Sequence, residues 1–473
     1  MESSRIKNPD LAAQIDEGQL AWHRHITPIT AHYCRQISQQ DYRGKKLAYW
    51  GHIVGIISMM LALKESGAEI AVGACNVDST DDAAAAYLVS KGIHVYGWQG
   101  MSQVEYQENL ALVRDFEADY LCDMGGELSV AYLDKTPPVK GALEATTSGL
   151  NLLKKYRMPF PIFDWNSIPL KYRIENRFDV GDGVWLAFSQ VTGLGLFGRR
   201  VLIIGYGPVG KGIAERARNL GAIVYVTDLN PVRLLEARYH GCETVNLDEG
   251  LARCHIIVTA TGVEGVLREE HLRQVRPGAI LFNAGHSNRE IDIDCLYHQP
   301  HQRMKAHIER VDIGETHLFL LARGSLLNLV AEASPYGIDL FDHYTAVMLA
   351  GIAWMFDGIS EDILPGLQLY PAHLEKVIAS LTYRLRFHNA GELKILIKKG
   401  FLNHLFICSE KYPPPFFFTF ISLSTGSKHT PHVPEKYSSC TNILIYSIRC
   451  YCPNPTSYDI PIIFIIALLS LLC

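Results

Sequence analysis

An apolar run, Val201-Leu-Ile-Ile, empties into Gly205-Tyr-Gly-Pro-Val-Gly210, after which the chain reads as a helix and then as a second apolar run ending at Asp228. That order is strand, tight turn, helix, strand. Gly205, Gly207 and Gly210 have GxGxxG spacing: the first permits the bend, the second lets a pyrophosphate approach the backbone, and the third lets the helix pack closely on the strand. A pyrophosphate would rest on the N–H groups of the helix start, where Val209 lies. Asp228 follows at the distance where an acid holds a ribose 2′-hydroxyl and repels a 2′-phosphate, which favours NAD over NADP.

A chain of 473 residues exceeds one ordinary core, so two or three domains are expected. Hydrophobic content of 48% with 20% charged residues suits a folded chain rather than a disordered one. The net charge of −5 and the lack of a basic run with interleaved aromatics argue against a nucleic-acid partner. The N-terminus is charged where a signal peptide needs an apolar centre, so a cytoplasmic location is expected. Cys34, Cys75, Cys122, Cys242, Cys254 and Cys295 are scattered without CxxC pairs, so neither a disulfide frame nor a metal site is expected. The apolar stretch 460–473 falls short of the ~20 residues that span a bilayer, and no membrane is expected.

Upstream, Leu11, Ile15, Leu20, Trp22, Ile26 and Ile29 predict one or two amphipathic helices. Short βα units follow, with strands at 46–50, 69–75, 94–98 and 118–123 and helices at 53–66 and 83–91. The segments at their ends read as loops: 75–86, Asp123-Met-Gly-Gly-Glu-Leu, 139–149 and 166–176. With Thr259-Ala-Thr-Gly262 and Asn283-Ala-Gly-His286, this succession resembles the adenosylhomocysteinase family, NAD-dependent hydrolases of S-adenosylhomocysteine, over about residues 8 to 380. The resemblance implies an α/β fold in which a Rossmann-type NAD-binding domain (183–335) is inserted in a second α/β substrate domain (1–182, returning over 336–388). Residues 389–473 are expected to be a non-homologous, disordered tail. It also implies a homo-oligomer, because a C-terminal Lys and Tyr of that family reach a neighbouring subunit's NAD site; no matching ending is found here.

In that family NAD oxidises the ribose 3′-hydroxyl, a base removes the C4′ proton, homocysteine leaves, water adds and the cofactor is restored. Lys171, Glu175 and Asn176 match the family's Lys-x-x-x-Asp-Asn segment, implying a lysine that helps deprotonate the hydroxyl and a carboxylate that orients it; an exposed i, i+4 pair is the structural alternative. The resemblance assigns Thr146, Thr147, Asn176, Thr261, Gly262, Ala284, His286 and Asn328 to the cofactor, and His52 and Asp123 to catalysis. The substrate side departs from the pattern. Met124 stands at the catalytic Asp position, Ala145 at a ribose-contacting Glu, Val54 and Ile56 at adenosine-contacting positions, and Val180 at a cysteine; His52 itself matches only across a one-residue gap. Two readings therefore stand: an NAD-dependent enzyme that cleaves S-adenosylhomocysteine or oxidises a related nucleoside, or a catalytically inactive NAD-binding paralogue acting through protein partners. An ordinary alcohol or 2-hydroxyacid dehydrogenase would share the cofactor domain but not the loops before residue 180.

Overall fold

The computed structural model describes residues 4–285, 288–330 and 338–387, all within one contact unit, Met1–Asn403. His286 and the stretch 389–473 lie outside the described residues. The fold is α/β. One sheet is built from β1 (Lys46–Gly51), β2 (Glu69–Ala74), β3 (His94–Tyr96), β4 (Tyr120–Asp123), β5 (Gly141–Glu144) and β6 (Pro161–Asp164). The other holds β7 (Arg200–Ile204), β8 (Ile223–Thr227), β9 (Glu243–Thr244), β10 (Ile256–Thr259), β11 (Ala279–Asn283), β12 (His301–Lys305), β13 (Ile308–Ile313) and β14 (Thr316–Leu321). The chain then returns as β15 (Gly366–Leu369), parallel to β6, giving the first sheet the order β15-β6-β5-β4-β1-β2-β3. The second runs β12-β13-β14-β11-β10-β7-β8-β9, parallel except at β12 and β13.

Both sheets are covered on two faces, which is why their central strands read as unbroken apolar runs. In β7 and β10, Ile203 and Val258 point into one core with Trp185 and Phe188, while Leu202 and Ile257 point into another with Leu251 and Leu272. The alternation is the period of two of an extended strand.

The N-terminal region is more broken than its apolar period suggested. It forms a 3-10 turn, Pro9–Gln14, and two helices, Glu17–Ile26 and Pro28–Ile37, because Asp16 makes a capping box with Gln19 and Pro28 restarts the chain. Trp22 does not join the packed face; it is exposed and rests on His25. The helix expected over 53–66 begins only at Ile57.

Helix Pro28–Ile37 has no cap of its own. Asp342, which opens helix Asp342–Asp357, supplies one from across the fold: its carboxylate accepts from Ile29 N at 2.9 Å and Thr30 N at 2.7 Å. Buried N–H groups need partners, so Asp342→Ala is expected to destabilise the fold by about 2 kcal/mol. Urea unfolding would measure this; an unchanged midpoint would show that the cap is dispensable.

Candidate active site

The dinucleotide turn has the expected form. Gly205 sits at φ +96°, a conformation L side chains rarely adopt, and helix Pro208–Asn219 starts directly after Gly207. A Cβ on Gly210 would lie 1.9 Å from the Gly205 carbonyl oxygen, whereas a Cβ on Gly207 would meet nothing within 4 Å. The turn is thus closed on the strand side and open where a phosphate would approach. Val209 is half-buried in the first helical turn. Asp228, just past β8, is locked onto the turn: its carboxylate accepts from Tyr206 N at 2.7 Å and Asn230 N at 2.8 Å, with Arg233 Nη1 at 3.4 Å. A carboxylate has about four lone-pair sites, so acceptor capacity remains for a ribose diol.

The opposite wall of the turn is built by Glu290, which the sequence reading passed over. Its buried carboxylate accepts from Thr261 N and Oγ1 at 3.0 and 2.8 Å and from Gly262 N at 2.7 Å. Burial pushes Glu290 up in pKa while these donors pull it down. Ala284 is buried and bonded through its N–H to Thr259 O. Asn328 is buried with its Oδ1 lacking a hydrogen-bond partner among the described residues. The open cradle at Gly207 and this orphaned acceptor both fit a bound dinucleotide.

Lys171 and Glu175 do not lie in a loop, as the segment 166–176 was read, but in the wide helical segment Leu170–Asp179, which continues into helix Val180–Thr192. Nor are they an exposed pair. Nζ lies 2.6 Å from Oε2, with side chains only 12% and 3% exposed. The ammonium also sits 4.4 Å from the centre of the Tyr344 ring, itself stacked on Trp165 at 4.7 Å. Burial raises the Glu175 pKa and Lys171 opposes the shift. With His343, these residues line a closed crevice with about 0 Å³ of space for water.

The Lys171 segment is docked directly on the helix that begins at the dinucleotide turn. A Cβ on Gly212 would come within 1.6 Å of Arg177 O, and Arg177 pairs with Glu215 at 2.9 Å. Asn176 is half-buried on this same segment.

At the ends of β1, β4 and β5, the remaining candidates divide. His52, half-buried after β1, shares a hydrogen bond of 2.6 Å between Nδ1 and Ser79 Oγ. Next to Ser79, Asp78 accepts from Ser325 Oγ, so this loop touches the one preceding Asn328. Asp123 is fully buried, its Oδ2 accepting from Ser129 N at 2.7 Å and its Oδ1 lacking a partner among the described residues. Glu144, its neighbour in register, accepts from Thr146 N and Oγ1, both at 2.7 Å. Burial is the first cause that raises both carboxyls, and their mutual repulsion adds to the shift at Glu144. Thr146 is thereby committed to structure, since it also caps helix Thr147–Leu153. Thr147 is exposed and accepts from Asn166 Nδ2 at 3.1 Å. Met124 and Ala145 are buried, and the Tyr344 hydroxyl points at Met124 Sδ from 3.7 Å.

Comparison with known proteins agrees with this geometry. Residues 27–156 match the profile of S-adenosyl-L-homocysteine hydrolase, and residues 177–334 match that of S-adenosyl-L-homocysteine hydrolase, NAD binding domain. The chain is 34% identical over 377 residues to the S-inosyl-L-homocysteine hydrolase of Methanocaldococcus jannaschii, covering 77% of this chain and 90% of that protein. It is 30% identical over 392 residues to the S-inosyl-L-homocysteine hydrolase of Methanopyrus kandleri, covering 80% and 91%. It is 36% identical over 297 residues to the adenosylhomocysteinase of Archaeoglobus fulgidus, covering 60% and 72%. NAD is the cofactor these matches indicate.

Proposed function

The chain belongs to the S-adenosyl-L-homocysteine hydrolase family, and from that premise we propose that it acts on an S-nucleosyl-homocysteine thioether beside Lys171 and Glu175, where the crevice, closed in this structure, opens to admit it. The observation that carries this reading is the buried Lys171–Glu175 pair, docked on the helix of the dinucleotide turn. NAD, when bound, would supply a reversible oxidation of a ribose hydroxyl. Lys171 would first pass its proton to Glu175, whose carboxyl burial raises, and as the neutral amine would then accept the proton of that hydroxyl. Asp228 and Asn328 would hold polar groups of the cofactor, with Thr261 and Gly262 lining its site. Trp165 and Tyr344 exclude water from the lysine.

Met124 cannot exchange a proton, so in this proposal the proton step at the thioether end falls to His52. Its placement supports that role: Trp50 of β1 pairs with Asp123 of β4, which sets His52 and Met124 at the ends of adjacent strands. Asp123 and Glu144 act behind them as supports. The relatives are named for hydrolysis of S-inosyl- and S-adenosyl-homocysteine, so base preference is part of the test. A substrate-binding part at 1–182 and 336–388, a cofactor part at 183–335, a homo-oligomer and a cytoplasmic location belong to the same proposal, the first two supported by the pairing of β15 with β6. Among the described residues no helix is long and apolar enough to cross a membrane.

Protein loaded with NAD would be mixed with S-adenosylhomocysteine, S-inosylhomocysteine or the free nucleosides. The absorbance of reduced nicotinamide and the release of thiol would then be followed. Both signals are expected with a thioether. Absorbance without thiol means that oxidation occurs but elimination fails. No absorbance change with any nucleoside would sink the proposal and leave the NAD-binding paralogue.

A further inference from the structure

One helical turn beyond Glu175, the same segment carries a third ionisable side chain, Asp179, only 7% exposed. His343, from helix Asp342–Asp357, faces it with Nε2 3.2 Å from Oδ2 and is 1% exposed. His343 also lines the gap beside Lys171 and Glu175; neither of its ring nitrogens, nor Asp179 Oδ2, meets hydrogen-bond geometry with a partner among the described residues, so the two groups face each other at close range without a formed bond. We propose that Asp179 and His343 are positioning residues, a neutral acid–imidazole pair behind the Lys171–Glu175 ion pair that keeps the lysine committed to Glu175 and to the crevice. The proposal builds on the proton-accepting role proposed for Lys171.

The surrounding charges support a neutral pair. Burial first, then the carboxylate of Glu175, pushes Asp179 up to about 8; Asp182 adds to this, and Arg386 and Lys171 oppose it. His343 is depressed to about 3 by burial, then by Arg386 and Lys171. Other charges on the packed elements are already engaged: Glu215 by Arg177, Asp182 by Arg216, and Asp342 by the amides of Ile29 and Thr30. At pH 7 Asp179 therefore holds its proton and the His343 imidazole facing it is uncharged. If it ionised, a second carboxylate would compete with Glu175 for the Lys171 ammonium and draw it from the crevice.

The test compares wild type with Asp179→Asn, which mimics the protonated acid, and with His343→Ala. Asp179 is raised above its unfolded value, so its favourable state is fully present below about pH 4 and is lost as pH rises through about 8. The melting temperature of Asp179→Asn should accordingly gain on wild type between about pH 5 and 8 and then level off. In nucleoside-driven reduction of bound NAD, wild type should lose rate above about pH 8, roughly tenfold per unit, while Asp179→Asn keeps its rate. His343→Ala admits water to Asp179 and should move the loss to lower pH. A melting difference that is flat with pH, or an alkaline limb unchanged in Asp179→Asn, overturns the proposal. If wild type reduces nothing, the proposed function fails separately, and the melting series still decides whether Asp179 is held neutral.

Discussion

Lys171→Met should lower nucleoside-driven reduction of bound NAD by about 10²- to 10⁴-fold, the range that a positioned general base contributes. The bound NAD itself should remain, because the cofactor cradle at Gly205–Gly210 makes no use of this side chain. The concern with such a variant is unfolding, since removing one partner of a buried ion pair strands the other charge at a cost of about 3–5 kcal/mol. Glu175 offers a way out: its carboxyl is already raised by burial and is held down by Lys171, so without the lysine it can take up a proton. Lys171→Arg is the sharper companion. Arginine keeps the charge beside Glu175 but does not give up its proton, so it should be nearly as inactive while preserving the melting temperature. Near-wild-type rates in either variant would remove Lys171 from the chemistry.

Gly207→Ala and Gly210→Ala should part company. A methyl at Gly210 would sit 1.9 Å from the Gly205 carbonyl, so strand and helix must separate, at a cost of about 1–3 kcal/mol or more. That shift also misaligns the helix-start amides, so Gly210→Ala should lose both melting temperature and bound NAD. At Gly207 nothing lies within 4 Å of the added methyl, so stability should hold while the methyl occupies the space a pyrophosphate needs. The readouts are the melting temperature and the NAD released on denaturation. Full NAD content in Gly207→Ala would show that the phosphates do not approach this turn.

Much of this organisation was legible in one dimension because it rests on local rules. The GxGxxG turn and Asp228 at the end of the next strand involve residues close in sequence, with side chains chosen for backbone geometry. The family resemblance likewise depended on short motifs in a fixed order. What escaped notice is long-range. Glu290 reaches back to shape the Thr261–Gly262 loop, and Asp342 caps a helix more than three hundred positions away. Tyr344 and His343 enter the Lys171 crevice from a helix that follows the whole second sheet. A run of Lys171, Glu175 and Asp179 at spacings of four was a visible hint, but periodicity alone does not distinguish a buried face from a solvated one.

By itself the chain determined that it would form an α/β fold with a glycine-rich dinucleotide turn and an acidic residue closing the next strand, because glycine placement and strand periodicity are properties of neighbouring residues. Only the tertiary structure decided that Lys171 and Glu175 are buried rather than solvated, that Asp123 is buried against Ser129, and that Asp179 meets His343. Burial and partner choice depend on which distant elements pack together, and they set the charge state on which any chemistry here depends.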